Sequence, residues 1–239
     1  MAEEYDATRD SATQGELSGL AGALEGCRTV LDVGVGTGRF AKPLADLGFE
    51  VTGADVSRRM LAKAREKGLD RLLLGDAYRL PFADRSFDAA IIVHVLHVVV
   101  DWAAVMGEIG RVTRGPVLSI LRVPLSPEEP PVGRAEPPTT SGRPVRTQHR
   151  MWQNELELKA RVPPRRLERL RDETVSIPVA DAIRRVHAKR AMGAQLVPPE
   201  VERQMLERIL AMTGAQAVQR RIVEDLAVWA AEDLRSLGV

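Results

Sequence analysis

The sequence is poor in the residues that many specialised folds depend on. It has one cysteine, Cys27, which excludes a disulfide framework, a cysteine-rich zinc site and a three-cysteine iron–sulfur cluster. A single thiol beside the first apolar run reads as a small core residue. Aromatic side chains make up 4% of the chain, and none interleaves with a basic run in the manner of an RNA-binding module. The net charge of +1 gives no general preference for nucleic acid or an anionic membrane. No apolar run approaches the roughly 18–20 residues that span a bilayer. The opening Met1-Ala2-Glu3-Glu4 is acidic and lacks an apolar signal region, so the expectation is a soluble, cytoplasmic protein. Asparagine occurs once, at Asn154, and arginine far outnumbers lysine; a thermophilic source and GC-rich coding account for this equally well. There is no internal repeat. What remains, 239 residues of which 44% are hydrophobic, suits one core domain with elaborations.

The organising stretch is Val30-Leu31-Asp32-Val33-Gly34-Val35-Gly36-Thr37-Gly38-Arg39-Phe40. An apolar run reaches an acid, then three glycines at alternate positions, then the helical spacing of Leu44, Ala45 and Leu47, closed by Gly48. This reads as a buried strand, a tight turn and the first turn of a helix. Glycine is required where backbone takes positive φ or lies flush against a ligand. The N–H groups of the turn present a partly positive, acceptor-seeking surface, and doubly wound folds bind ligands beyond the carboxyl ends of their strands.

Dinucleotide sites read G-x-G-x-x-G. Here the spacing is G-x-G-x-G, with Asp32 two residues before Gly34. That form resembles the class I S-adenosylmethionine-dependent methyltransferases, whose loop passes under the methionine and ribose moieties of the cofactor. Two later segments carry the same resemblance. Glu50-Val51-Thr52-Gly53-Ala54-Asp55 reads as a second strand ending in an acid. Asp55 stands where a doubly wound fold places the carboxylate that accepts from a ribose diol; the competing reading is a helix cap, a job Ser57 also does. Met60, on the helix Ser57–Lys67, flanks the adenine or sits in the core. Arg71–Gly75 reads as a third strand, and Asp76-Ala77 followed by Leu80-Pro81-Phe82 resembles the family's adenine-binding segment. Before the core, a helix is expected near residues 14–25, and Tyr5-Asp6 with Arg9 resembles a short family pattern in which an aromatic and an arginine close over the cofactor. A frayed terminus is the alternative for these residues.

Ser86-Phe87-Asp88 leads into the apolar run Ala89–His94, read as a fourth strand buried on both faces. This tripeptide, with His94, His97 and Asp101-Trp102, resembles the methyltransferase type 11 group, which includes ubiquinone and menaquinone biosynthesis enzymes. The resemblance covers about residues 28–122. The two histidines are three apart, but a third metal ligand is missing, so no metal site is assigned. His94, at a strand end facing the place of methyl transfer, is the candidate base or substrate-side residue, and His97 the second candidate. Asp101 is the expected N-cap of a helix over 102–113, stopped by Gly115. Pro116–Leu121 is the fifth strand.

Beyond it the pattern weakens. Pro124 to Pro144 is proline-rich and reads as an exposed loop. No helix of normal length is evident between strands five and six. Gln153–Val162 alternates around Leu156, Leu158, Ala160 and Val162 and predicts the sixth strand. Pro163-Pro164 then starts a helix over Arg165–Arg171, with two more helices near Val179–Met192 and Pro199–Met212. Residues 215–237 fit either a helix or, over Asp225–Ala231, the antiparallel seventh strand that the resemblance calls for; periodicity does not arbitrate.

The expected fold is therefore α/β, a doubly wound, mostly parallel seven-stranded sheet with helices on both faces. Its parts would be a helical cap at 1–27, a cofactor core at 28–122, a loop at 123–152 and a completing segment at 153–239. The resemblance implies S-adenosylmethionine as cofactor, held by Asp32, Gly34, Gly36, Gly38, Asp55, Met60, Asp76, Ala77 and His94, with Tyr5 and Arg9 over it. The expected partner is a small-molecule acceptor. The alternatives are RNA, through the basic region 143–190, or a non-catalytic binding protein. The Asn/Asp-Pro-Pro-Tyr segment of enzymes that methylate base amino groups is absent after the fourth strand, which argues against DNA. The glycine spacing and Asp76-Ala77 argue against a nicotinamide oxidoreductase. Neither the acceptor nor the oligomeric state is legible.

Overall fold

The computed structural model describes residues 11–122, 150–178 and 217–238. Tyr5, Arg9, the proline-rich stretch 124–144 and the two helices expected within 179–212 lie outside the described residues. Helix α1 (Gln14–Ala23) starts with a capping box: the Thr13 hydroxyl accepts from Glu16 N at 3.2 Å, and Thr13 N donates to Glu16 Oε2 at 2.6 Å. Then follow β1 (Thr29–Val33), α2 (Ala41–Asp46), β2 (Glu50–Asp55), α3 (Arg58–Glu66) and β3 (Leu72–Leu74). The chain returns as β4 (Ala89–Ile91), a 3₁₀ turn (Leu96–Val98), α4 (Trp102–Val112) and β5 (Pro116–Arg122). Ser57 caps α3 by accepting from Met60 N at 3.4 Å, and Asp101 caps α4 by accepting from Ala104 N at 3.0 Å. Helix α5 (Arg150–Arg161), β6 (Arg166–Pro178), β7 (Ala217–Ala230) and the short α6 (Ala231–Leu234) complete the described chain.

The seven strands form one open sheet in the order β3-β2-β1-β4-β5-β7-β6. The first five run parallel, and β7 pairs antiparallel with both β5 and β6. From β1 the chain winds outward to β3, then crosses back to place β4 beside β1, with Asp32 level with Ile91. The order reverses between β1 and β4, and a crevice opens at such a point above the carboxyl ends. Two apolar layers cover the sheet. One packs Leu20, Leu24, Phe40 and Leu44 from α1 and α2 against Val30, Ile91 and Leu118. The other packs Val105, Met106, Ile109 and Val112 of α4 against Leu31, Ala90 and Trp229. The i, i+3, i+4 spacing of the α4 residues fixes which face of that helix turns inward.

The sequence reading fails between β5 and β7. Of residues 153–162, expected as a strand, all except Val162 lie in α5, which also supplies the helix expected to be missing between strands five and six. Of residues 165–171, expected as a helix, all except Arg165 lie in β6. The first expectation rests on apolar alternation and the second on the Pro163-Pro164 start signal, and neither signal matches the burial that the structure shows. In α5 the inward face carries Glu155 together with Leu158, while Leu156 is 49% exposed. Strand β6 lies at the sheet edge and is exposed along most of its length, so no alternation is imposed on it. Pro163-Pro164 separates the two because proline ends a helix and holds the residue before it extended. The ambiguous tail is strand β7 as far as Ala230.

Candidate functional site

The carboxyl ends of β3, β2, β1 and β4 stand side by side, and a sequence-identified residue lies at or within three residues of each end. The loop after β1 folds over the end of β2: Gly34 N and Val35 N both donate to Ala54 O, at 2.7 and 3.0 Å. Gly34, Gly36 and Gly38 have φ of 75°, 55° and 83°, so all three occupy the left-handed region that favours glycine. Their reasons differ. A Cβ on Gly34 would lie 2.2 Å from Val95 Cγ2, and one on Gly38 would lie 2.6 Å from Leu69 Cδ1. A Cβ on Gly36 would find nothing nearer than Gly34 O, at 3.9 Å. The space above Gly36 is open, as a cradle for a bound molecule requires.

Asp55, at the end of β2, accepts from Gly36 N through Oδ2 at 2.9 Å and from Ser57 N through Oδ1 at 2.8 Å. It shapes the loop, while Ser57 does the capping. Asp32, at the end of β1, is 4% exposed. Burial pushes its pKa up to about 7, the Asp55 carboxylate adds to the rise, and the N–H of Ala41 opposes it. Asp76 is exposed after β3 and accepts from Tyr78 N at 3.0 Å; Ala77 beside it is half-buried. Met60 is half-buried on α3.

His94 departs from expectation in its backbone. Strand β4 stops at Ile91, and His94 lies three residues on with φ of 59°, a conformation uncommon outside glycine. It therefore turns the chain away from the sheet rather than ending a strand. His97 lies in the 3₁₀ turn that follows. The turned segment is pinned on two sides. The Tyr78 hydroxyl accepts from Val100 N and Asp101 N at 2.8 and 3.0 Å. Asn154 Nδ2 donates to Leu96 O and Val99 O at 2.7 and 3.1 Å. Sequence reasoning missed both residues. Only the rarity of asparagine singled out Asn154, and nothing marked Tyr78.

It also missed two buried carboxyls. Glu16 of α1 is 1% exposed and holds Arg39 Nη2 with both oxygens at 3.1 Å, which ties α1 to the end of the glycine loop. Glu155 of α5 is 7% exposed, with Oε2 buried and without a hydrogen-bond partner. Burial pushes its pKa up to about 8, against the pull of Arg122 and Lys159. The folded state therefore keeps this proton where the unfolded chain, with an ordinary glutamate pKa near 4.5, has lost it. The contribution is fully present below pH 4.5 and is lost as pH rises towards 8. Glu155→Gln is expected to be about 1–3 kcal/mol more stable than the parent at pH 8 and no more stable at pH 4.5, read by urea denaturation at the two pH values. Equal differences at both would show that Glu155 is not buried as an acid.

Residues 31–116 match the family model described as a methyltransferase domain. A demethylmenaquinone methyltransferase of Renibacterium salmoninarum is 39% identical over 123 residues, covering 48% of this chain and 51% of that protein. A phosphatidylethanolamine N-methyltransferase of Cereibacter sphaeroides is 42% identical over 92 residues, covering 36% and 45%. The chain thus spans about half the length of the curated relatives it matches. A crystal structure of a methyltransferase from Bacillus halodurans aligns with 90% of this chain and 98% of its own at a TM-score of 0.58 and 20% identity, which shows the shared fold. No described helix is long and apolar enough to cross a membrane. The glycine loop, the sheet order and the matched core agree: residues 31–116, which match the methyltransferase domain, form the doubly wound core of this chain.

Proposed function

We propose that the protein transfers the methyl group of S-adenosylmethionine to a small-molecule acceptor. The observation that carries this reading is the row of strand ends: Asp76, Asp55, the glycine loop over Asp32, and His94 follow one another along β3-β2-β1-β4. In this reading Asp55 accepts from the ribose hydroxyls, the open face at Gly36 lies under the ribose and methionine, and Asp76 with the Ala77 N–H takes the adenine edge beside Met60. His94 is assigned to the methyl-transfer side with His97 behind it, and Tyr5 and Arg9 to the cover. The cofactor supplies an activated methyl on a cationic sulfur. The protein's part is to hold an acceptor in line with it and to take a proton where the acceptor must lose one. Support for a small molecule comes from relatives named for demethylmenaquinone and for phosphatidylethanolamine. Because those two names differ while both matches cover half of this chain or less, the choice of acceptor is assigned to the part of the chain that the matches leave out. RNA remains the second reading, resting on nine basic against three acidic residues between Arg143 and Arg171.

The test is a binding titration with adenosylhomocysteine, then transfer of labelled methyl to a panel of small-molecule acceptors and to transfer RNA. Label on a small molecule is the expected result. Label on RNA alone would select the second reading, and no binding would overturn both. In the same titration Asp55→Ala should weaken adenosylhomocysteine by about 1.5–3 kcal/mol, the cost of leaving charge-assisted partners unmet. An analogue lacking both ribose hydroxyls should lose less. Equal losses would confine Asp55 to shaping the loop through Gly36 N.

A further inference from the structure

Among the described residues, Asp32 is a buried carboxyl without a counter-charge. From β2 it faces Asp55, a second carboxyl, and from α2 it receives only the N–H of Ala41. The β4 residues alongside, Ile91 and Ile92, are apolar. The nearest basic residues along the chain are engaged elsewhere: Arg28 pairs with Glu50, and Arg39 is held by both oxygens of Glu16. Among the described residues no lysine or arginine pairs with Asp32. Two adjacent carboxyls in a water-poor site do not both ionise readily; one keeps a proton until a cation arrives. The ligand assigned to this crevice changes charge during the reaction: it enters as a sulfonium cation and leaves as a neutral thioether.

We propose, resting on the cofactor reading above, that Asp32 discriminates the charged form of the cofactor from its neutral product. When the sulfonium ligand binds, the Asp32 carboxylic acid releases its proton to solvent, and the carboxylate faces the new positive charge. When the methyl group has left, the sulfur is neutral, and Asp32 takes a proton back from solvent. Every unit by which the cation lowers the pKa of Asp32 makes the sulfonium form bind about tenfold tighter above that pKa than below it. The free site is poised for this, since its pKa of about 7 lies within the working range of most proteins. The neutral product gains nothing from the ionisation, so its share of the site falls as pH rises.

Calorimetry with S-adenosylmethionine and with adenosylhomocysteine between pH 6 and 7, in two buffers of different ionisation heat, counts the protons exchanged. The α-amino groups of both ligands stay mostly charged there. The sulfonium ligand is expected to release roughly half a proton more than the neutral one near pH 7, and its affinity relative to adenosylhomocysteine to rise about three- to tenfold across the range. Asp32→Asn keeps an acceptor for Ala41 N–H and removes the ionisation, so both differences should vanish. Equal proton counts for the two ligands in the parent protein overturn the proposal, and that measurement stands even where the variant does not fold. A difference that persists in Asp32→Asn overturns it as well by assigning the proton elsewhere. If neither ligand binds at any pH, the cofactor reading itself falls, and the proposal with it.

Discussion

Gly36→Val should abolish measurable adenosylhomocysteine binding while the protein stays folded. The expected loss is roughly 100-fold or more, at least about 2.7 kcal/mol. Two features of the position lead there. Its φ of 55° is one that a branched side chain adopts only at a cost of about 1–2 kcal/mol. Its Cβ direction is clear of the protein itself, with Gly34 O at 3.9 Å as the nearest atom, so the new methyl groups intrude on the ligand's space and not on the core. Calorimetry gives the affinity, and a thermal melt shows that the fold survives. The neighbouring glycines supply the contrast. Gly34→Val drives into Val95 and Gly38→Val into Leu69, so both should lower stability as well as binding. A Gly36→Val protein with parent-like affinity would remove this loop from the cofactor site.

The second large effect is on stability. Trp229→Ala is expected to cost about 3–5 kcal/mol. Trp229 is fully buried, lies level with Val117 of β5, and donates from Nε1 to Val162 O at 2.7 Å. One side chain thus joins the antiparallel strand to the end of α5. Trp229→Phe keeps most of the apolar volume but leaves the Val162 carbonyl without that donor, for an expected cost of about 1–3 kcal/mol. Guanidinium denaturation separates the two variants. A loss below 1 kcal/mol for Trp229→Ala would mean that α5 does not dock as described.

These two positions mark the range of what could be read from the chain. The core was legible because its signals are local and chemical: an apolar run, an acid, glycines at fixed spacing, then acids at the next two strand ends. Burial on both faces keeps such strands apolar, and turns that need positive φ keep their glycines. What the spacing did not reveal was that the three glycines serve three ends, since contact with Val95 or Leu69 is made by residues 61 and 31 positions away. The segment after Pro144 was misread for a related reason. Leu156, Leu158, Ala160 and Val162 alternate, yet the inward side of α5 mixes the buried Leu158 with polar residues. Asn154 clamps two carbonyls, and Glu155 is buried as an acid. A helix whose inward face is partly polar loses its 3.6-residue signal. Arg165–Arg171 has good helix formers, and pairing with β7 overrides that preference. Tyr78 and Asn154, which fix the turn bearing His94, carry no sequence signal of that role, because their partners are backbone groups.

Strand β6 has a consequence for how copies of this protein behave in one another's company. A sheet edge is a row of unsatisfied backbone groups onto which a foreign strand can add. At one edge the risk is small, since β3 has three residues. At the other, β6 offers thirteen. That edge is lined with charges of both signs in close pairs: Arg166 with Glu168, Arg169 with Asp172, Arg171 with Glu173, and Asp172 again with Arg221 of β7. An incoming strand would have to strip water from these groups before gaining its first backbone hydrogen bond. The arginine-rich composition that adds little to the core therefore lines this edge with charge that opposes sideways growth of the sheet.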